Sequence, residues 1–114
     1  MRAYELMVII EGGLDENDVE GTVRRVQEQV KAKGGDVKRT DRWGKRRFAY
    51  EIDKKTEGYY VVIEFLGGEG LADLERGFRL ADDVVRHKLI RLPDAEAARR
   101  GLLGEPAPAP APAG

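Results

Sequence analysis

Cysteine is absent from all 114 residues, and histidine occurs once, at His87. The sequence therefore excludes a disulfide framework, a thiolate nucleophile and cysteine ligands for zinc. A catalytic histidine needs an oriented partner and a cleft, and the residues around His87 predict neither. We interpret His87 as a surface or boundary residue, and we expect no cofactor, no metal and no small-molecule substrate.

Long apolar runs are also missing, and none approaches the ~20 residues that a membrane-spanning helix requires. The opening segment MRAYELMVII is interrupted by Glu5 and followed by Glu11, and no small-residue cleavage site comes after it. This pattern favours a strand of a cytoplasmic protein over a secretory signal. We therefore expect no association with a membrane.

Acidic and basic residues nearly cancel, giving a formal net charge of -1, but they are separated along the chain. Residues 11–20 contain five acidic residues and no basic one, whereas residues 38–47 contain six basic residues and only Asp41 as an acid. A third stretch holds Arg86, His87, Lys88 and Arg91 without an acid. A nearly neutral chain with this distribution can present a concentrated basic surface.

The first half of the chain predicts a strand followed by a helix. Residues 3–10 are mostly apolar, which is typical of a buried strand. From Asp15 to about Lys33 the apolar positions Val19, Val23, Val26 and Val30 recur at steps of three and four, which places them on one helical face. Asp15 suits the N-cap of this helix, and the glycines at 34 and 35 supply its end.

The second half predicts a β-hairpin, a helix and a last strand. The expected ranges are a strand over 37–53 with a bulge at Gly44, a turn over 54–58, a strand over 59–66, a helix over 71–81 and a strand over 86–92. The order β-α-β-β-α-β is the α+β, ferredoxin-like split βαβ plan. It predicts a four-stranded antiparallel sheet with two helices on one face and the first and third strands at its centre.

The composition changes near the end of the chain. Residues 1–95 are predicted to form one domain, and residues 96–114 a flexible tail whose final part reads EPAPAPAPAG. Alternating Pro and Ala favours an extended, solvated chain. Helical structure is expected to continue from Asp94 to about Arg100 and to end at Gly101.

The segment WGKRRFAYEI, residues 43–52, places cations beside aromatic side chains. Basic residues bind phosphates and aromatic rings stack on unpaired bases, so the segment is a candidate RNA-binding site. The alternative is a solvated edge strand whose charges prevent unwanted pairing. Strand alternation groups Phe48 with Ile52, so we expect Phe48 to be buried and Trp43 to pack at the bulge.

The third strand separates Tyr60, Val62 and Glu64 on one face from the apolar residues on the other. If Leu6 is buried under the helices, Met7 joins Tyr60 and Val62 on the uncovered face. Such an apolar patch would need cover from a partner protein or a nucleic acid, unless it is only partly exposed.

Four segments resemble the bacterial ribosomal small-subunit protein six family in order and spacing: RAYELMVII, GKRRFAYEI, GYYVVIEF and FRLADDVVRHKLIRL. The resemblance covers roughly residues 2–92, with His87 standing where a tyrosine is common. It implies a non-catalytic protein of the small ribosomal subunit that binds the central domain of 16S ribosomal RNA together with ribosomal small-subunit protein eighteen.

The same resemblance implies which residues make these contacts. The implied RNA-binding residues are Arg2, Arg46, Arg47, Tyr50, Arg79, Arg86, Lys88 and Arg91. The implied partner-binding residues are Met7, Tyr60 and Val62.

Other functions are possible for this topology. An RNA-recognition module stacks bases on its central strands around a K/R-G-F/Y-G/A-F signature, and GKRRFAY on the second strand does not match it. An acylphosphatase-type hydrolase needs an anion-binding loop after the first strand, but the loop here is the acidic GGLDEN, and Asn17 is the only asparagine. Self-association through the basic edge strands stays open.

Overall fold

The secondary structure follows the predicted order and adds a third, short helix. A computed structural model describes residues 2–103. Its elements are β1 (Arg2–Glu11), α1 (Glu16–Ala32), β2 (Asp36–Ile52), β3 (Lys55–Gly67), α2 (Leu71–Leu80), β4 (Val84–Arg91) and α3 (Asp94–Arg99). The last strand begins two residues earlier than expected, and the predicted helical continuation after Asp94 is confirmed.

The four strands form one antiparallel sheet in the order β2-β3-β1-β4. β1 and β3 are therefore central, as their apolar sequences predicted, and the basic strands β2 and β4 form the edges. Leu6 lies opposite Ile63 on one side and Leu89 on the other. This register turns the even-numbered residues of β1 towards α1 and α2.

The main core lies between the sheet and these two helices. The valine face of α1 packs with Leu6, Phe65 and Phe78, which are almost fully buried. Burial of a side chain of this size stabilises the fold by roughly 1.5–3 kcal/mol. The Asp18 backbone N–H donates to Asp15 Oδ1 at 2.9 Å, which confirms the predicted helix cap.

The turn between β2 and β3 is tighter than predicted. It consists of Asp53 and Lys54, whose φ angles of 50° and 66° are left-handed, and Ile52 pairs with Lys55 directly beyond it. Two positive φ angles match the twist of a hairpin, so both strands extend further than expected. The prediction of a turn over 54–58 was wrong because neither turn residue is the glycine that usually marks this geometry.

α3 packs on the sheet face opposite α1 and α2, at one end. Ala97 of α3 and Leu102 form a second buried cluster with Ala3, Leu66 and Leu92. The packed chain thus continues beyond residue 95, where the domain was expected to end, because the segment after Pro93 folds back on the sheet. The Pro-Ala sequence from Glu105 lies outside the described residues.

Candidate nucleic-acid and protein interface

A bulge in β2 arranges the face of the sheet that α1 and α2 leave uncovered, called here the open face. The pairing of β2 with β3 shifts between Arg42 and Gly44, where Gly44 has a φ of 92°. Trp43 stacks on Tyr60 with ring centroids 6.2 Å apart and planes 5° apart. Trp43 is 42% exposed, so it packs at the bulge as predicted while one side stays in solvent.

Phe48 is buried on the open face, beneath neither α1 nor α2. Its ring meets Tyr60 edge to face at 6.3 Å. Gly58 leaves the space for this packing, since a Cβ there would lie 2.6 Å from Ile9 Cγ2 and 3.1 Å from Phe48 Cζ. Phe48 is therefore a structural residue, as strand alternation predicted, whereas Trp43, Tyr50 and part of the Tyr60 ring are accessible at the surface.

The apolar patch expected on the open face is present but small. Met7 and Tyr60 are half-buried, while Val62 is buried. Ile9 and Phe48 are buried beside this patch, and α3 covers the open face near Ala3 and Leu66. An uncovered strip of Met7, Trp43 and Tyr60 remains between the two edges of the sheet.

One group of predicted RNA-binding residues lies at the β2 edge. The Arg46 guanidinium sits 5.5 Å above the Trp43 ring, in cation–π geometry. Arg47 points to the opposite face of the strand, because it is the next residue along. Tyr50 lies near the hairpin tip and is 76% exposed.

A second group follows the β4 edge. Arg86 and Lys88 lie opposite Ile9 and Met7 on the open face, and together they line a shallow depression. Arg79, at the end of α2, borders a neighbouring depression that also includes Arg86.

The remaining two cations lie at the other end of the sheet. Arg91 is opposite Tyr4, and Arg2 begins β1. All eight predicted RNA-binding residues are exposed, but they form separate groups along two edges instead of one continuous cluster.

These cations differ from several others in having no acidic partner. Arg25, Arg42 and Arg100 each form ion pairs with carboxylates. Within residues 2–103, no ion pair involves any of the seven predicted cations: Arg2, Arg46, Arg47, Arg79, Arg86, Lys88 and Arg91. Their charges are therefore available to an anionic ligand.

His87 is more enclosed than the sequence suggested. Its side chain is only 9% exposed, its Nε2 lies 2.8 Å from Glu75 Oε1, and its ring meets Phe78 edge to face. His87 is a boundary residue, which the sequence analysis allowed, but the expectation that it lacks an oriented partner was wrong. Glu75 and His87 lie on different elements, and no local spacing could have revealed their contact.

Arg100 forms a second contact network that the sequence did not predict. Its Nη1 donates to Glu5 at 2.9 Å and to Glu64 at 2.7 Å, and its Nε donates to Glu96 at 2.6 Å. The hydrogen bonds to Glu96 and Glu5 raise the pKa of Arg100 above its ordinary value. This network fastens the end of α3 to the open face.

Residues 2–103 contain neither a membrane-spanning helix nor a cluster of metal ligands. No helix among residues 2–103 is long and apolar enough to cross a membrane. In the same residues, no three side chains of His, Asp or Glu gather as a metal ion would require.

Comparison with known proteins identifies the family. The family model described as ribosomal protein S6 matches residues 3–91, which is most of the chain. The chain belongs to the ribosomal protein S6 family. The small ribosomal subunit protein bS6 of Carboxydothermus hydrogenoformans is 48% identical over 92 residues, covering 80% of this chain and 96% of that protein. The bS6 protein of Salinispora arenicola is 47% identical over the same shares of both chains.

The fold agrees with this family. The crystal structure of 30S ribosomal protein S6 from Thermotoga maritima superposes with a TM-score of 0.79 at 36% identity, covering 88% of this chain and 95% of that one. The predicted family and the ferredoxin-like fold are therefore confirmed. S6-family proteins are structural components of the bacterial small ribosomal subunit in the cytoplasm, and this chain is one of them and not an enzyme.

The matched residues include ten of the eleven predicted site residues, all except Arg2, and they end before α3. Membership of the S6 family does not by itself assign a role to any of these side chains.

Proposed function

We propose that this chain binds the central domain of 16S ribosomal RNA together with ribosomal small-subunit protein eighteen. The observation that carries the proposal is the arrangement of exposed cations, with no acidic partner among residues 2–103, on both edges of a partly uncovered sheet. Arg46 and Arg47 lie at the β2 edge, and Arg86 and Lys88 at the β4 edge. Between them lies the apolar strip that contains Met7 and Tyr60.

In this proposal the cations act on the RNA backbone. Guanidinium and ammonium groups bind phosphates and fix the orientation of the protein, while the shape of the folded RNA supplies most of the specificity. Arg2, Arg79 and Arg91 extend the contact along the β4 side. Tyr50 is placed to stack on an unpaired base, since its ring is largely in solvent.

The protein partner covers the apolar strip. Met7 and Tyr60 are half-buried in the isolated chain, and Val62 lies beside them. A net charge of -1 predicts weak binding of RNA by the chain alone. A basic partner on the open face would add charge and join both edges into one RNA-binding surface.

Gel-shift binding to a central-domain RNA fragment, with and without protein eighteen and across a salt series, tests this proposal. We expect tight binding only when the partner is present, and affinity that falls as salt rises. Light scattering of the free chain comes first, because homodimers through the edge strands would change the stoichiometry. An absence of binding under both conditions, with both proteins folded, would overturn the proposal.

A further inference from the structure

Two glutamates face each other at the centre of the open face. Glu5 of β1 and Glu64 of β3 are directly opposite in the strand pairing. Like charges in this position destabilise a sheet. Glu64 is also only 8% exposed, so water screens its charge poorly. The pair therefore requires a cation close to both carboxylates.

Arg100 supplies that cation from outside the sheet, since Arg39, which lies opposite Glu64 in β2, forms no ion pair with it among residues 2–103. Its Nη1 contacts both glutamates, while Glu96 orients the guanidinium through Nε. The compensation is incomplete, because three carboxylates share this guanidinium. Glu64 Oε1 is buried and accepts no hydrogen bond from residues 2–103. The glutamate pair can thus accept a further hydrogen bond from another donor group.

The segment that carries Arg100 has few anchors. α3 contains six residues, too few to be stable as an isolated helix. It is attached through the burial of Ala97 and Leu102 and through the contacts of Arg100. The segment can therefore separate from the sheet without disrupting the main core between the sheet and α1 and α2.

We propose that Glu5 and Glu64 form an arginine-binding site, which Arg100 fills in the free chain and which a basic segment of the protein partner takes over as α3 lifts. This inference rests on the proposed function for the identity of the partner. Met7 and Val62 lie two residues from Glu5 and Glu64 on the same face, so the site continues the strip assigned to that partner. Carboxylates repel phosphates, which favours a polypeptide over RNA as the occupant.

Calorimetric titration with protein eighteen, without RNA, tests the site in the full chain. Arg100→Gln removes the internal competitor and is expected to raise the partner's affinity about threefold to tenfold. Glu5→Gln combined with Glu64→Gln removes the site and is expected to lower the partner's affinity about tenfold. Arg99→Gln is the matched control, because among residues 2–103 Arg99 pairs only with Glu96, and this variant should leave the affinity within about twofold.

The direction of the two effects decides the outcome. Gains in affinity for both variants would mean that α3 merely covers an apolar surface, and losses for both would mean that α3 is part of the interface. Either result overturns the proposal. Thermal melting of each variant identifies losses that come from unfolding, and Glu64→Gln alone serves as a milder variant if the double one fails to fold.

Amide hydrogen exchange gives an independent measurement of the motion. The Leu102 amide donates to Ala97 at 2.9 Å, so its exchange reports whether the end of α3 is docked. Exchange should accelerate when the partner binds, and added protection would contradict the displacement of α3.

A hexa-arginine peptide provides a second probe of the same amide. If the peptide accelerates exchange but protein eighteen does not bind, the site stands and the proposed function fails; if neither acts, both are overturned.

Discussion

Phe48 and Tyr60 meet edge to face, with ring centroids 6.3 Å apart, on the side of the sheet that the two long helices do not cover. A buried aromatic residue on that side means that the open face has a small core of its own. The Gly58 backbone and Ile9 complete this packing. Phe48 is therefore structural, whereas Tyr50, two residues further along the same basic segment, is exposed.

Phe48→Ala should destabilise the protein by roughly 3 kcal/mol, because it removes a buried ring and leaves a cavity against Ile9 and Tyr60. Tyr50→Ala is the control in the same strand, and its loss should stay within about 0.5 kcal/mol since its ring is exposed. Urea unfolding of both variants measures the difference. Equal losses of unfolding free energy in the two variants would show that Phe48 is no more important for stability than Tyr50.

Arg46→Ala combined with Arg47→Ala should weaken RNA binding in the presence of the partner by about tenfold or more. The slope of log affinity against log salt concentration should decrease by about 1 for each lost phosphate contact. Stability should fall by less than about 1 kcal/mol, since the contact of Arg46 with Trp43 is exposed. Arg24→Ala with Lys31→Ala, two exposed cations of α1, removes the same charge elsewhere. A large drop in the melting temperature would instead mark Arg46 and Arg47 as structural, and equal weakening by both pairs would show a nonspecific charge effect.

Acid should weaken the contact between α1 and the loop before β4. Hydrogen bonds from Arg25 and then Thr22 lower the pKa of Asp83 to about 2, against an ordinary value of 3.8. Because the folded value is the lower one, this contribution is complete above about pH 4 and is lost as the pH falls to about 2. With screening at this partly exposed pair considered, it amounts to about 1–2 kcal/mol.

The variant Asp83→Asn isolates this titration from that of the other acids. The gap in unfolding free energy between wild type and variant should narrow as the pH decreases from about 6 to about 2. Asp82→Asn, at the neighbouring exposed position, should show no comparable gap. A gap for Asp83→Asn that does not change with pH would contradict the assignment.

Gly77→Ala should stabilise the protein by about 0.5–1 kcal/mol, because Gly77 lies inside α2, where alanine loses less entropy on folding. A Cβ at this position would meet Gln29 Nε2 at 3.6 Å, an ordinary contact. Gly44→Ala should have the opposite effect, by about 1–2 kcal/mol, since its φ of 92° disfavours a side chain. Thermal unfolding of both variants provides the test, and a loss of stability in Gly77→Ala would indicate crowding between α1 and α2.

The sequence predicted the elements whose signals are local. The valine spacing identified the buried face of α1, Asp15 identified its start, and the apolar strands were placed correctly at the centre of the sheet. These features depend on neighbouring residues and on the elementary periods of helices and strands. The helix-covered core followed directly from them.

The missed features join residues that are distant in sequence. The contacts of Arg100 with Glu5 and of His87 with Glu75 depend on how whole elements are placed, and no spacing in the chain encodes them. The candidate RNA-binding residues are a separate case, because they were named before the structure placed them. The charge pattern pointed to the basic segments that contain Arg46 and Arg86, and the family resemblance selected the individual residues.

The bulge at Gly44 changes which residues of β2 point towards the open face. Directly before it, Arg39 and Asp41 lie on the open face, and after it the even-numbered residues Arg46 and Phe48 do. Two residues of β2 stand opposite one of β3 at the bulge, so losing one of them would restore regular pairing and leave Arg46 and Phe48 on the open face. Losing a residue between Gly44 and Phe48 would instead turn Phe48 towards the opposite side of the sheet, so we expect a single deletion to be tolerated at the bulge but not in the segment that follows it.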